Sequence, residues 1–272
     1  MTTLVIEAGR TEGHYWKDLW RYRELLVFLS WRDILVRYKQ TLIGIMWAVL
    51  RPLLTMAVLV LVFSKLARLP SNGVPYPILV FAGLLPWQFF ANAFTEAGSS
   101  LIANASMISK IYFPRLIIPF SAVVVGFVDF LISIVILAGM MLWYRFAPSW
   151  HIVALPLFAL LGFAAALGSG LCVAALNVKY RDFRYIVPFV VQLGTYVSPV
   201  GFTSSIVPPQ WRTLYSLNPL VGIIDGFRWA IIGRGIELNS ASLLISVGLT
   251  SLLLITGIVY FRKTERTFAD VI

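Results

Sequence analysis

The chain has 272 residues, of which 59% are hydrophobic and 12% charged, against roughly 45–50% and 25% in soluble domains. So few charges cannot coat a water-exposed surface of this size, and a disordered chain would show the opposite balance; a bilayer is the expected solvent. The excess of 22 Lys+Arg over 12 Asp+Glu admits a nucleic-acid binder, a membrane protein with basic cytoplasmic loops, or a carrier of anions. No water-soluble domain is visible to concentrate the charge for nucleic acid, so no nucleic-acid partner is expected. Topology takes most of the charge, and an anionic substrate part of it.

The chain begins with residues that are polar and mixed in charge up to Glu24. They lack the apolar run and cleavage site of a signal peptide, so residues 1–41 are expected to be cytoplasmic. Within them Leu19, Tyr22, Leu26 and Leu29 recur at helical spacing, among Arg21, Arg23, Glu24, Arg32, Asp33 and Arg37. That pattern predicts a basic amphipathic helix over 15–40 lying in the membrane interface. Ser30 with Asp33 three residues on resembles a helix start and predicts a break there.

Six apolar segments approach the roughly 20 residues that a spanning helix needs: 42–64, 76–101, 116–144, 152–176, 186–202 and 243–261. The fifth is the shortest and holds Pro188 and Pro199. Between the fifth and sixth, the segment 208–233 is too polar to span, yet carries Trp211, Leu214, Leu217, Ile223, Ile224, Phe227, Trp229 and Ile231, divided by Asn218-Pro219. It reads as two short helices dipping into the outer leaflet, allowed where protein or a water-filled cavity surrounds them. The fold expected is an all-α integral membrane protein. It has six transmembrane helices, an N-terminal interface helix, an outer re-entrant segment and a cytoplasmic tail over 262–272.

Basic residues orient it. With the N-terminus inside, the inner segments hold Arg10, Lys17, Arg21, Arg23, Arg32, Arg37, Lys39, Lys110, Arg115, Lys179, Arg181, Arg184, Arg262, Lys263 and Arg266. The outer segments hold only Lys65, Arg68, Arg145, Arg212, Arg228 and Arg234. Short Lys/Arg-rich loops stay inside, so both termini are expected to be cytoplasmic.

No phosphate-binding loop occurs. The two histidines, His14 and His151, fall in no metal constellation, and no catalytic set can be assembled in the bilayer. Only Glu96 and Asp129 could serve a proton relay, and they lie on different spans. Neither a channel filter nor a voltage-sensor pattern is present. The chain therefore reads as a pathway without its own energy source, with no catalytic residue and no metal. Cys172, alone in an apolar run, reads as a small buried hydrophobe.

Arg51 is the cation that topology leaves over. It is the tenth residue of its span, about 15 Å along the helix, where arginine costs roughly 2.5–3.5 kcal/mol. Two readings stand: an ion pair with Asp129 or Glu96, or a contact to an anionic substrate group. The aromatic residues at mid-span or at bends, Trp47, Trp87, Phe89, Phe90, Tyr196 and Phe202, either pack or stack on sugar rings. Ala164/Gly168 and Ala166/Gly170 on the fourth span permit close helix contact, within the chain or across a dimer.

Three stretches carry a family resemblance. Arg37-Tyr38-Lys39-Gln40-Thr41-Leu42-Ile43-Gly44-Ile45-Met46-Trp47-Ala48-Val49-Leu50-Arg51-Pro52-Leu53 resembles the start of the first span in ABC-2-type permeases of polysaccharide export. Asn177-Val178-Lys179-Tyr180-Arg181-Asp182, with Pro188, Gln192 and Ser198-Pro199-Val200, is similar to that family's fourth-to-fifth span region, and Asn218-Pro219 to its outer re-entrant segment. The resemblance runs along nearly the whole chain.

It implies a multi-pass protein of the bacterial inner membrane, working as two copies with two copies of a cytoplasmic ABC ATPase. ATP and Mg would be bound by that partner, with no cofactor in this chain. The cargo implied is a lipid-linked polysaccharide, O-antigen first, with capsular polysaccharide, teichoic acid or a small lipid or drug as alternatives. A self-sufficient channel or secondary transporter is the more distant rival. By the same resemblance, residues 104–114 would form the coupling loop, with Ser106, Ile108, Ser109, Lys110 and Tyr112 facing the ATPase. Residues 16–40 would form a gate helix, and 208–233 the outer gate. Such a cargo carries a pyrophosphate, and Arg32, Arg37, Lys39 and Arg51 are the cations expected to meet it, because a guanidinium binds phosphate oxygens in pairs.

Overall fold

Eleven α-helices and no strand are found among the described residues, which in this computed structural model are 15–39, 44–71, 73–233, 235–236 and 238–268, with backbone alone at 44–45. They are α1 (Tyr15–Arg21), α2 (Arg23–Lys39), α3 (Gly44–Val60, prolonged by a π-helical stretch Leu61–Leu66), α4 (Tyr76–Ala103) and α5 (Ala105–Ile108). Then follow α6 (Ile117–Trp143), α7 (Leu155–Lys179), α8 (Phe183–Val197), α9 (Pro209–Tyr215), α10 (Pro219–Ile232) and α11 (Ser240–Glu265). The expected tail 262–272 begins inside α11, and its last four residues lie outside those described.

Five of these helices are long and apolar enough to cross a membrane: α3 with its extension, α4, α6, α7 with the 3-10 turn before it, and α11. Helix α4 is the centre. It is mostly buried, packs most extensively on α6 and α7, and α11 closes against the far side of α7. Helix α3 buries few of its residues, as suits a helix whose apolar surface lipid can wet.

The α7–α11 crossing explains the small residues of the fourth span. A Cβ on Gly168 would lie 2.6 Å from the Leu254 backbone, and one on Gly257 would collide with the Gly168 carbonyl oxygen. Gly170 similarly admits Ala97 of α4 at 2.7 Å. These small residues serve contacts within the chain. Gly168→Val is expected to force α7 and α11 apart and cut the yield of folded protein severalfold, read as membrane-inserted, monodisperse protein after detergent extraction.

The expected fifth span is corrected. Helix α8 has 15 residues, about 22 Å of rise, short of the roughly 30 Å hydrocarbon core. The chain continues as Ser198–Pro199–Val200–Gly201, which are buried, before α9 and α10. Pro199 and the broken backbone are tolerated there because protein surrounds them. Helix α10 is buried on nearly every residue from Leu220 to Ile232, wedged among α4, α7 and α11. Asn218 caps it by accepting from the Leu220 N–H at 3.0 Å.

The break expected at Ser30 is also corrected. Helix α2 runs through it, and the Ser30 hydroxyl donates to the Leu26 carbonyl one turn back at 2.9 Å, a bond that serine makes inside helices. The turn falls at Tyr22 instead.

One end of the bundle gathers the N-terminal helix, the α5–α6 loop and the end of α11. The Arg115 N–H donates to Glu265 at 2.7 Å, and the Arg262 guanidinium lies 4.7 Å from the Tyr15 ring centroid. The opposite end holds the turn 150–154. There His151 sits 4.2 Å from both the Trp150 and Trp229 rings, and the Ser149 N–H donates to Ile231 O at 2.9 Å.

Candidate functional site: a polar cleft within the bilayer span

Helices α3, α4 and α8 leave an open cleft of about 370 Å³ between them, lined by Arg51, Ala91, Asn92, Thr95, Glu96, Pro188, Val191 and Gln192. The spacing produces it. Asn92 and Glu96 are one turn apart on α4, and Pro188 and Gln192 one turn apart on α8, so each pair shares a face. Arg51 stands seven residues on from Gly44, the first described residue of α3, about 10 Å of rise. Glu96 is seven residues from the end of α4, about 10 Å. Gln192 is nine residues from the start of α8, about 14 Å. The polar groups thus converge in one half of the membrane, on the side of the basic loops.

Thr95 donates to Ala91 O at 2.7 Å and so satisfies itself. Arg51 is exposed and makes no ion pair or side-chain hydrogen bond among the described residues. A guanidinium in hydrocarbon is costly, so this face must meet protein, water or cargo.

The Glu96 carboxylate belongs to a second feature at the cleft wall. Arg37, from the last turn of α2, donates to Glu96 Oε1 and to Asp129 Oδ2, and the Tyr38 hydroxyl donates to Asp129 Oδ1. Burial, with the bond to Asp129, pushes the Tyr38 phenol up, so it remains a donor. Arg37 therefore pairs with the carboxylates, and of the two readings of Arg51 the ion pair with Asp129 or Glu96 is the one the structure does not bear out. The cause is packing: α2 lies along α6, which delivers Arg37 to Asp129.

The other expected cargo contacts are distributed. Arg32 donates to Asp33 at 2.8 Å and to the Asn104 side chain at 3.2 Å. With Lys39 it rims a groove of about 330 Å³ along α2, lined otherwise by Phe28, Trp31, Leu35 and Val36. Trp20, Val27 and Trp31 are also exposed there, giving the helix an apolar outer face that suits the interface.

The expected aromatic lining is corrected in part. Phe89 is 3% exposed and sits in a ring cluster with Phe127, Phe130 and Phe163. Trp87 is buried, its indole N–H donating to Thr195 at 3.1 Å. Phe90 stacks on Phe94 at 5.5 Å, and Phe202 packs on Phe63. Packing claims Trp87 and Phe89, which are buried, while Phe90 and Phe202 are half-buried. Trp47 and Tyr196 are 57% and 71% exposed and are available to stack.

In the loop expected to couple to an ATPase, Ser106, Ser109, Lys110 and Tyr112 are exposed, and Ile108 is buried. Ile108 is corrected to an anchor that holds the loop to the bundle. Ile111, next to Tyr112, is exposed as well.

Sequence reasoning counted Arg228 among the basic residues of the outer segments, within the re-entrant stretch 208–233. It is fully buried, with its guanidinium donating to Leu79 O at 3.1 Å, Phe202 O at 2.6 Å and Val200 O at 2.6 Å. Its signal was a charge within the apolar run 219–232, with Asp225 one turn earlier. Gly83 makes room for it, since a Cβ there would collide with the guanidinium.

Residues 24–232 match the family model for the ABC-2 type transporter. The chain belongs to this family. Among its relatives is the O-antigen export system permease protein RfbA of Klebsiella pneumoniae, 30% identical over 250 residues, covering 92% of this chain and 95% of that one. A protein of the same name from Myxococcus xanthus is 31% identical over 214 residues, 78% of this chain and 82% of that one. The polysialic acid transport protein KpsM of Escherichia coli is 21% identical over 243 residues, 86% and 91% respectively. As an ABC-2 permease the chain is a multi-pass protein of the bacterial inner membrane and the transport subunit of an ATP-driven exporter, with hydrolysis on a separate subunit.

In this permease Arg37→Ala would leave two carboxylates facing each other without their cation. The expected result is a large fall in membrane-inserted protein, with export falling in step. Adding Glu96→Gln and Asp129→Asn to it is expected to restore the protein level at least in part, read by immunoblot of isolated membranes.

Proposed function

We propose that this permease moves a lipid-linked polysaccharide, O-antigen first, from the cytoplasm across the inner membrane. It works as two copies paired with two ATPase subunits that bind ATP and Mg. The observation that carries the reading is the open cleft with its polar lining. Its Arg51, Asn92, Glu96 and Gln192 offer a cation and hydroxyl-matching groups in the half of the bilayer from which a cytoplasmic cargo enters. A stripe of this kind cannot face lipid, and a second copy opposite it closes a hydrophilic path. The names of the relatives support the cargo class. The relation to KpsM supports capsular polysaccharide as the second reading.

In liposomes, the chain with its ATPase is expected to move polysaccharide with ATP, and the chain alone to move none. Flux without ATPase would instead indicate a self-sufficient channel. The loop 104–114 is read as the docking loop. Ser109→Cys in a Cys172→Ser background is expected to form a disulfide with a cysteine placed in the ATPase groove, seen as a shifted band without reductant. Absence of any cross-link from position 105 to 112 would remove the loop from that role.

A further inference from the structure

Helix α2 has two unlike faces. Leu29 and Ser30 are buried against the bundle, and Arg37 reaches Glu96 and Asp129 from that same side. Phe28, Trp31, Arg32, Leu35, Val36 and Lys39 recur at i, i+3, i+4, i+7, i+8 and i+11, a spacing that sets them on one stripe facing away from the bundle. All but the half-buried Arg32 are exposed, and the six line the groove along α2. None of them lines the cleft of α3, α4 and α8. The stripe is also placed in depth. Arg32 meets Asn104, where α4 ends, while Arg37 meets Glu96, about two turns further into the membrane along α4. The face therefore descends through the headgroup region as it runs toward Lys39. Glu24, exposed on this side of the helix, lies about two turns before Arg32, so the acidic end is the watery one.

We propose that this face of α2 binds an acidic phospholipid of the inner leaflet. Its phosphate is held by Arg32 and Lys39, and its glycerol and upper acyl carbons lie against Trp31, Leu35 and Val36. Two kinds of complementarity point to this occupant. The floor of the groove is apolar, and the exposed indole of Trp31 is the side chain that settles at headgroup level. The rim is cationic, and acidic lipid favours a basic group at that level by roughly fivefold in affinity per cation. Asp33 partly offsets Arg32 at 2.8 Å, so Lys39 supplies most of the free charge. Lys39 makes no ion pair or hydrogen bond among the described residues, and its long stem lets the ammonium rise back to the phosphate level. The lipid-linked cargo offers the same phosphate chemistry, but the cation of the cleft is Arg51, on another surface. With Arg37 and Tyr38 bound to the carboxylates on one side and lipid on the other, α2 is held from both faces. Such binding goes beyond the exporter reading and does not depend on the cargo.

The test titrates the purified full chain in detergent with phosphatidylglycerol or with phosphatidylcholine of the same acyl chains, and counts bound lipid by native mass spectrometry. The wild type is expected to bind phosphatidylglycerol about tenfold or more tightly than phosphatidylcholine. Arg32→Gln with Lys39→Gln is expected to remove the preference, and Arg51→Gln to keep it. Should Arg32→Gln fail to fold, since Asn104 then loses its partner, Lys39→Gln alone decides, with an expected loss of about fivefold. Equal affinity of the wild type for the two lipids overturns the proposal, as does an unchanged preference in Lys39→Gln. A preference lost in Arg51→Gln but kept in Lys39→Gln would move the lipid to the cleft and overturn it too. Inorganic pyrophosphate that displaces phosphatidylglycerol at equal concentration would show a site for the cargo's anion instead. Leu35→Glu that dissociates a dimer without weakening phosphatidylglycerol binding would give the face to a second copy, and is the remaining contrary result.

Discussion

Arg51→Ala is expected to lower export ten- to hundredfold while leaving protein level and ATPase pairing intact. The magnitude follows from losing a charge-assisted bond to an anionic group, about 1.5–3 kcal/mol, at roughly 1.4 kcal/mol per tenfold. The folded chain tolerates the change because Arg51 is exposed and no described side chain depends on it; its removal leaves no buried acceptor without a donor. Arg51→Lys keeps the charge but lacks the planar fork that meets two phosphate oxygens at once, and is expected to retain intermediate export. The pair of variants separates charge from geometry. Wild-type export by Arg51→Ala would remove this residue from the path.

Arg228→Met is expected to act on the fold. The guanidinium is fully buried and serves three backbone carbonyls, on Leu79, Val200 and Phe202. Two of those lie in the irregular stretch that follows α8, where no helix partner exists for them. Methionine fills much of the volume but donates nothing, so three buried acceptors lose their bonds and Asp225 loses its neighbouring cation. Breaking a buried charged group out of its partners costs about 3–5 kcal/mol, a fall in thermal midpoint of roughly 10 °C for a chain of this size. Gly83→Val is expected to reproduce the loss by pushing the guanidinium from its place. An unchanged midpoint for Arg228→Met in detergent would show that the stretch 198–202 is held by other means.

The long spans were legible because the bilayer imposes one strong condition: about 20 apolar residues in a helix. The stretches around 76–101, 116–144 and 243–261 meet it, and the helices there are α4, α6 and α11. The stretch 186–202 meets it only by counting apolar residues. Pro199 ends the helical part, and whether an irregular stretch is sheltered by protein is a tertiary fact that hydropathy does not carry.

The site was legible in its cations and obscure in their pairing. Arg51 was marked by its depth. Which cation would meet Glu96 and Asp129 depended on how α2 lies against α6, and an arginine from outside the spans took both. Arg228 was counted with the outer re-entrant segment because a topology count sees charge and not burial. Among the aromatic residues, type alone does not separate Phe89, enclosed by three other rings, from Tyr196, which faces outward; helix neighbours decide that.

The central claim is that cargo passes along the cleft formed by α3, α4 and α8. It is tested most directly by placing a photo-cross-linking amino acid at Gln192, and for comparison at Val135 on the exposed face of α6, in cells making the polysaccharide. The account predicts that position 192 is labelled by glycan during export and position 135 is not. Equal labelling at both, or labelling at 135 alone, would contradict it.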